Sequence, residues 1–502
     1  MSTTCNPGSN RLLGTILAGA IAAVLPIPVL AGPPDTLVMG MVLEPPHLDP
    51  TAGAAAAIDE VVYANIFEGL TRIDENGVVQ PALAREWSIS EDGLTYTFQL
   101  ADGVTFQDGA AFDASDVVFT FERAMADDST NAHKDLFEPV ASVAAGDDGS
   151  SVVITLKRPT GQFLFDIGLG DAVIVDPASA DNNKTMPVGT GPFRFVEWRK
   201  GDSVRLQRRD DYWGEPVGLK SAVFKFIPDP AAAVAAMMAG DVDAFANFPS
   251  PESIPQFEAD PRFHVEIGST EGETILAINN ARPPFNDIRV RRALAYAIDR
   301  QAIIDGSEYG YGTPIGSHFA PHHPAYVDLT GRYPHDIEKA KELLAEAGQS
   351  NLKLTIKLPP PPYARRGGEI IQAQFAQVGI SAELIPMEWA QWLEQVYGGK
   401  DYDLTIVSHT EPMDIGNYAR DDYYWGYRNP DFNKLMDELA ATTSPAGQNR
   451  ILGDAQRMLA EDCVNVFLFE LAKRGVWDAR LEGLWANSPI QANDLTKVHW
   501  KK

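Results

Sequence analysis

The chain has 502 residues and a formal charge of −28, with 69 acidic against 41 basic residues. Such a surface repels polyphosphates and anionic lipid, which excludes nucleic acid and membrane-surface binding. The length exceeds what one hydrophobic core serves, so two or three lobes are expected.

The first residues read as an export signal. Arg11 is the only charged residue before an apolar run from Leu12 to Val29, and Val29-Leu30-Ala31 offers the small-residue pattern of a cleavage site. Pro26 and Pro28 interrupt the run and no polybasic stop follows it, which argues against an anchor. Cleavage after Ala31 leaves 471 residues and takes the charge to −29. Cys463 is then the one remaining cysteine and forms no internal disulfide, so the exported chain depends on its core for stability.

Helical and strand patterns alternate from there, which predicts an α/β protein. Asp35 to Val42 reads as a strand, and Ile58 to Leu70 as a helix with Val61, Val62, Ile66 and Leu70 inward. Thr95–Leu100 and Val152–Leu156 alternate as half-buried strands, with a helix predicted from about Ser115 to Met125. Asp-Gly pairs at 92–93, 102–103, 108–109 and 148–149 supply turns that accept positive φ. Strands at Phe193–Trp198 and Val223–Ile227 precede an alanine-rich helix, Ala231–Ala239, stopped by Gly240. Further on, Asp287 and Asp336 are placed to cap helices, and a third helix, from Gly367, carries Ile371, Phe375 and Val378 up to Gly379. Strands at Ala382–Pro386 and Asp403–Val407 complete a second compact lobe.

Several segments carry a resemblance. Asn279 to Arg300 (NNARPPFNDIRVRRALAYAIDR) resembles the signature of family 5 extracellular solute-binding proteins, the dipeptide, oligopeptide and nickel receptors of bacterial ABC importers. Val188–Phe193 (VGTGPF), Asp336–Gly348 (DIEKAKELLAEAG), Phe112–Phe119 and Tyr212-Trp213 are similar to other elements of that family, in its order. The resemblance implies a two-lobed periplasmic-binding-protein fold with a discontinuous first lobe, an extra β-rich subdomain and a hinge. Its expected division is a signal peptide over 1–31, first-lobe segments over 32–69 and 187–270, the β-rich subdomain over 70–186, the second lobe over 271–474, and a return to the first lobe over 475–502. The glycines and prolines of Gly189–Pro192 read as a tight change of direction near the hinge, serving the fold rather than the solute.

The resemblance also places the solute. In the family it lies between the loop after the first strand, here Leu48–Ala54, a proline-rich segment, here Pro359–Arg366, and a later loop, here Ser408–Tyr418. Leu48, Asp49, Tyr363, Arg365 and Arg366 are expected contacts from the first two. An arginine suits a terminal carboxylate because it offers a two-pronged donor set. In the later loop His409 stands where the family has tryptophan, and Glu411 or Asp414 replaces an aspartate that holds an α-amino group. Trp389 and Tyr418 are the best candidates among a dense aromatic set for stacking on a solute, with core packing the other reading of that set.

The resulting expectation is a periplasmic receptor, a monomer, that passes a peptide-like solute to ABC permease subunits in the inner membrane. An opine, sugar or nickel complex is the alternative solute. His318, His322, His323 and His335 read as solvated loop histidines with no regular metal-ligand spacing. No cofactor is implied, and nucleophile-elbow, His-Glu-x-x-His and P-loop motifs do not occur, which speaks against an enzyme.

Overall fold

The computed structural model describes residues 35–501 except 54 and 148. The expected signal peptide lies outside the described residues. No described helix is long and apolar enough to cross a membrane.

Two long strands, Phe263–Ile278 and Val466–Asp478, organise the molecule. They pair antiparallel and sit in the middle of one mixed sheet. On one side follow Ala244–Phe245, Thr36–Met41, Ser221–Phe226, Ser203–Arg208 and Phe193–Arg199, which form the first lobe. On the other follow Leu404–His409, Lys353–Leu358 and Ser381–Pro386, which form the second. The ladder between the long strands slips register between Ser269 and Glu273 and again between Thr274 and Ile275, where they pass from one lobe to the other. A bulge there bends both strands and re-aims their side chains.

In the second lobe the sheet is covered on both faces, and strand periodicity decides which residue goes where. Leu276 and Ile278 pack with Val290, Leu294, Ile371 and Phe375 on one face. Ile275 and Ala277 pack with Phe432, Ile451 and Leu459 on the other. The helices start as the sequence dictates: Asp287 caps Ile288–Ala297 and Asp336 caps Ile337–Glu346 through their carboxylates.

The β-rich subdomain is a four-stranded antiparallel sheet in the order Ala84–Ile89, Thr95–Leu100, Ser151–Leu156, Val140–Ala145. Its apolar face, with Tyr96, Phe98, Val152 and Ile154, meets Val117 and Phe121 of the helix Ala114–Met125. Gly93, Gly103, Gly109 and Gly149 all adopt the positive φ that the Asp-Gly turns call for.

Two local expectations change. The first helix spans only Ala56–Val62, because the chain turns back at Ala64, whose φ is 56°. Asn65 fixes that turn by donating to the carbonyls of Val61 and Asn493 and accepting from the amide of Leu495. The helix expected from Gly367 begins at Pro362, a residue pre-set for the first helical position, so Arg365 and Arg366 lie inside it. Gly189 and Gly191 sit against the backbone of Asn65 and Ile66 in the first lobe, where a Cβ at Gly189 would stand 2.1 Å from the Ile66 carbonyl oxygen.

Candidate functional site

A cavity of about 230 Å³ lies where the long strands pass between lobes. The first lobe contributes Glu60, Asn247 and Asn493; the strands contribute Glu271, Gly272 and Arg474; Thr410 reaches it from the second lobe.

Its polar walls are held from behind. Glu271 accepts from His322, with Oε1 2.7 Å from Nε2, and the other ring nitrogen of His322 lies 2.7 Å from Ser269 Oγ. Arg474 donates to Glu308 at 3.1 Å, while its buried Nε has no hydrogen-bond partner. Lys473 donates to the carbonyls of Trp485 and Asn487, and burial holds its ammonium down to about 8. Burial raises the carboxyl of Glu60. One wall therefore presents a guanidinium and another a carboxyl.

On the second-lobe side stands a buried chain of charge. His318 Nδ1 lies 2.8 Å from Glu273 Oε1, and its Nε2 lies 3.0 Å from Asp414 Oδ1. His409 Nδ1 lies 3.3 Å from Asp414 Oδ2 and 3.9 Å from Glu411 Oε2, and its Nε2 meets the Tyr424 hydroxyl at 3.0 Å. Burial opposes charge on His318, yet Glu273 and Asp414 push it up to about 10. Burial would likewise raise Asp414, but His318 and His409 hold it well below the usual carboxylate range. His318, His322 and His323 are thus buried and paired or stacked, not solvated as their Gly- and Pro-rich surroundings suggest.

The other expected contacts fall in three places. Leu48 is fully buried in the first-lobe core, and Asp49 spends its carboxylate on Thr51, with Arg123 3.7 Å away. Tyr363 is buried at the start of its helix. Arg365 pairs with Glu388 at 3.2 Å, and Arg366 donates to the Tyr309 hydroxyl at 3.1 Å. Tyr418 is buried and stacks on Trp425 with centroids 4.1 Å apart. Trp389 remains 40% exposed and meets Trp392 edge-on. The cavity lining brings none of these seven together, whereas His409 and Glu411 flank its Thr410.

Sequence reasoning missed Glu60, Asn247, Glu271, Arg474 and Asn493. Only the turn-rich run Asn487–Asp494 carried a visible signal of a structured loop.

A polar cavity shared between two lobes, at strands that join them, defines a two-lobed solute-binding protein. The chain belongs to the bacterial extracellular solute-binding proteins, family 5, whose middle-region model matches residues 78–431. It is 29% identical over 427 residues to heme-binding protein A of Haemophilus influenzae, covering 75% of this chain and 76% of that protein. It is 32% identical over 395 residues to a glutathione-binding protein of Pectobacterium atrosepticum, covering 76% and 75%. The structure of HbpA2 from Haemophilus parasuis matches it with a TM-score of 0.83 at 25% identity, over 93% of this chain and all of that one.

Proposed function

We infer that the protein is the periplasmic receptor of an ABC importer, which captures a peptide or peptide-like solute between its lobes and hands it to the membrane permease without chemical conversion. The cavity between the lobes carries this reading. Its walls offer a guanidinium at Arg474 and a carboxyl at Glu60, which suit the two ends of a zwitterion. Its volume of about 230 Å³ suits a solute smaller than the ligands of drug-sized sites, roughly 300–1,000 Å³. The relative named for glutathione, itself a peptide, supports the same class.

The long strands supply the hinge. Their register slips at Ser269–Ile275 form the point about which closure buries the solute. The β-rich subdomain touches the second lobe: Gln162 donates to the Met413 carbonyl at 3.3 Å, and Gln448 to that of Gly161 at 2.6 Å. Of the residues expected from the sequence, His409, Glu411 and Asp414 remain the best placed to meet a solute.

Thermal shift across dipeptides, tripeptides, opines, sugars and nickel complexes tests the solute, followed by calorimetry on hits. A peptide should raise the melting temperature, bind one to one and be recovered unchanged. Hits confined to sugars, or steady conversion of a bound peptide, would overturn the reading.

A further inference from the structure

We propose that Gly161, Gln162 and Gln448 are positioning residues for solute capture: the turn at Gly161 of the β-rich subdomain seats on the end of a second-lobe helix and latches the two lobes together. This role rests on the receptor reading above and gives the β-rich subdomain a part in it.

Two strands carry the chain between the lobes, so any contact made elsewhere between them forms or breaks as the hinge moves. The turn 158–162 makes such a contact. Gln448 Nε2 donates to the Gly161 carbonyl at 2.6 Å and to the Thr442 carbonyl at 2.8 Å. Thr442 closes the helix Pro430–Ala441. One side-chain amide thus brackets the turn to a helix end, where carbonyls lack partners within the helix.

An independent observation comes from Gly161 itself. A Cβ there would stand 2.6 Å from the carbonyl oxygens of both Leu439 and Thr442, and 2.9 Å from Gln448 Nε2. These three nearest atoms all belong to the second lobe. Gly161 does not adopt a positive φ, so the turn alone does not call for glycine. The missing side chain serves the contact between the lobes.

The turn is held firmly from behind. Phe163 meets Tyr96 edge-on in the subdomain core, with centroids 4.9 Å apart, and its amide donates to the Thr160 carbonyl. Arg158 donates to both carboxylate oxygens of Glu138. A pre-ordered tip loses little freedom on docking.

The next residue reaches toward the solute site. Gln162 donates to the Met413 carbonyl at 3.3 Å. Met413 holds a φ of 63°, which residues other than glycine rarely adopt, and its neighbour Asp414 meets both His318 and His409. Seating the turn holds the backbone that carries Asp414.

Gly161→Ala and Gln448→Glu break the latch from opposite sides. The first fills the seat, and the second sets a carboxylate against two carbonyls. Spin labels at E91C and D437C, both exposed positions, report the distance between subdomain and second lobe in solute-free protein. Wild type should show a short-distance population that both variants lose. G331A, whose added Cβ would have nothing within 4 Å, should keep it. With glutathione as the probe, both variants should release it at least about tenfold faster while association stays within about threefold, because the latch acts on the closed state. Label distances equal in wild type and both variants overturn the latch, even where the melting temperature falls. Failure of the wild type to bind glutathione counts against the peptide reading alone, and the label distances still decide the latch.

Discussion

The carboxylate of Glu68 accepts the hydroxyl of Tyr212 at 2.7 Å, joining two positions 144 residues apart. Its other oxygen accepts Thr190 Oγ1 at 2.8 Å and Trp213 Nε1 at 3.0 Å. One buried acid thus ties the Gly-Thr-Gly-Pro element to the Tyr-Trp pair, two motifs that otherwise read as unrelated. Burial raises its carboxyl and the three donors oppose that rise. Glu68→Ala strands all three donors and should cost about 3–4 kcal/mol of stability, read by urea denaturation. Glu68→Gln, which keeps the shape, should cost less.

Gly189 is required by space rather than by backbone angle. A Cβ there meets the Ile66 carbonyl, a backbone atom that cannot swing aside. Gly189→Ala should destabilise by about 1–3 kcal/mol. Gly416→Ala is the control: nothing lies within 4 Å of its Cβ position, and the change should stay within about 0.5 kcal/mol.

Stability should fall as pH rises through the weakly acidic range. Burial, with Asp135 nearby, lifts Asp166 from 3.8 to about 7, and burial lifts Asp116 from 3.8 to about 6. A folded state that holds its protons more tightly than the unfolded chain is favoured fully below pH 3.8, and that advantage is lost as pH climbs through 6 to 7. Asp166→Asn should flatten this slope and raise the melting temperature at pH 8 relative to wild type. A steeper slope in the variant would contradict the assignment.

Two placements of a solute carboxylate are distinguishable. For Arg365 or Arg366 to grip it, they must release Glu388 and Tyr309. For the cavity to hold it, Arg474, itself paired with Glu308, receives the carboxylate and Glu60 the amine. On the cavity placement, Glu60→Gln should weaken a peptide at least tenfold, in keeping with about 2–5 kcal/mol for losing one partner of a buried charged pair. Arg365→Ala and Arg366→Ala should each stay within threefold by calorimetry. Tenfold losses in the arginine variants with Glu60→Gln unchanged would move the solute to the Pro362–Gln377 helix.

The elements most legible in the sequence were those written in local chemistry. Asp287 and Asp336 cap helices because a short carboxylate next to an amphipathic run has few other uses. The turns at Gly93, Gly103 and Gly109 follow from the positive φ that glycine accepts. The ordered motifs identified the family, and with it the lobes. The first helix was overread because its apolar spacing continues past Val62, while Asn65 turns the chain by reaching a segment more than 400 residues later.

The sequence by itself determined the fold class, the acidic surface and the kind of protein, since these rest on periodicity, composition and motif order. Only the tertiary structure decided the site. Glu60, Arg474 and Thr410 come from distant segments and meet because two strands cross between lobes. His318, in a loop that reads as solvated, is buried between Glu273 and Asp414 because strand register and a returning loop place carboxylates on both sides of its ring. Local pattern records what each residue prefers. It holds no record of which charges a fold forces to share a dry interior, and there that sharing sets which groups keep their protons.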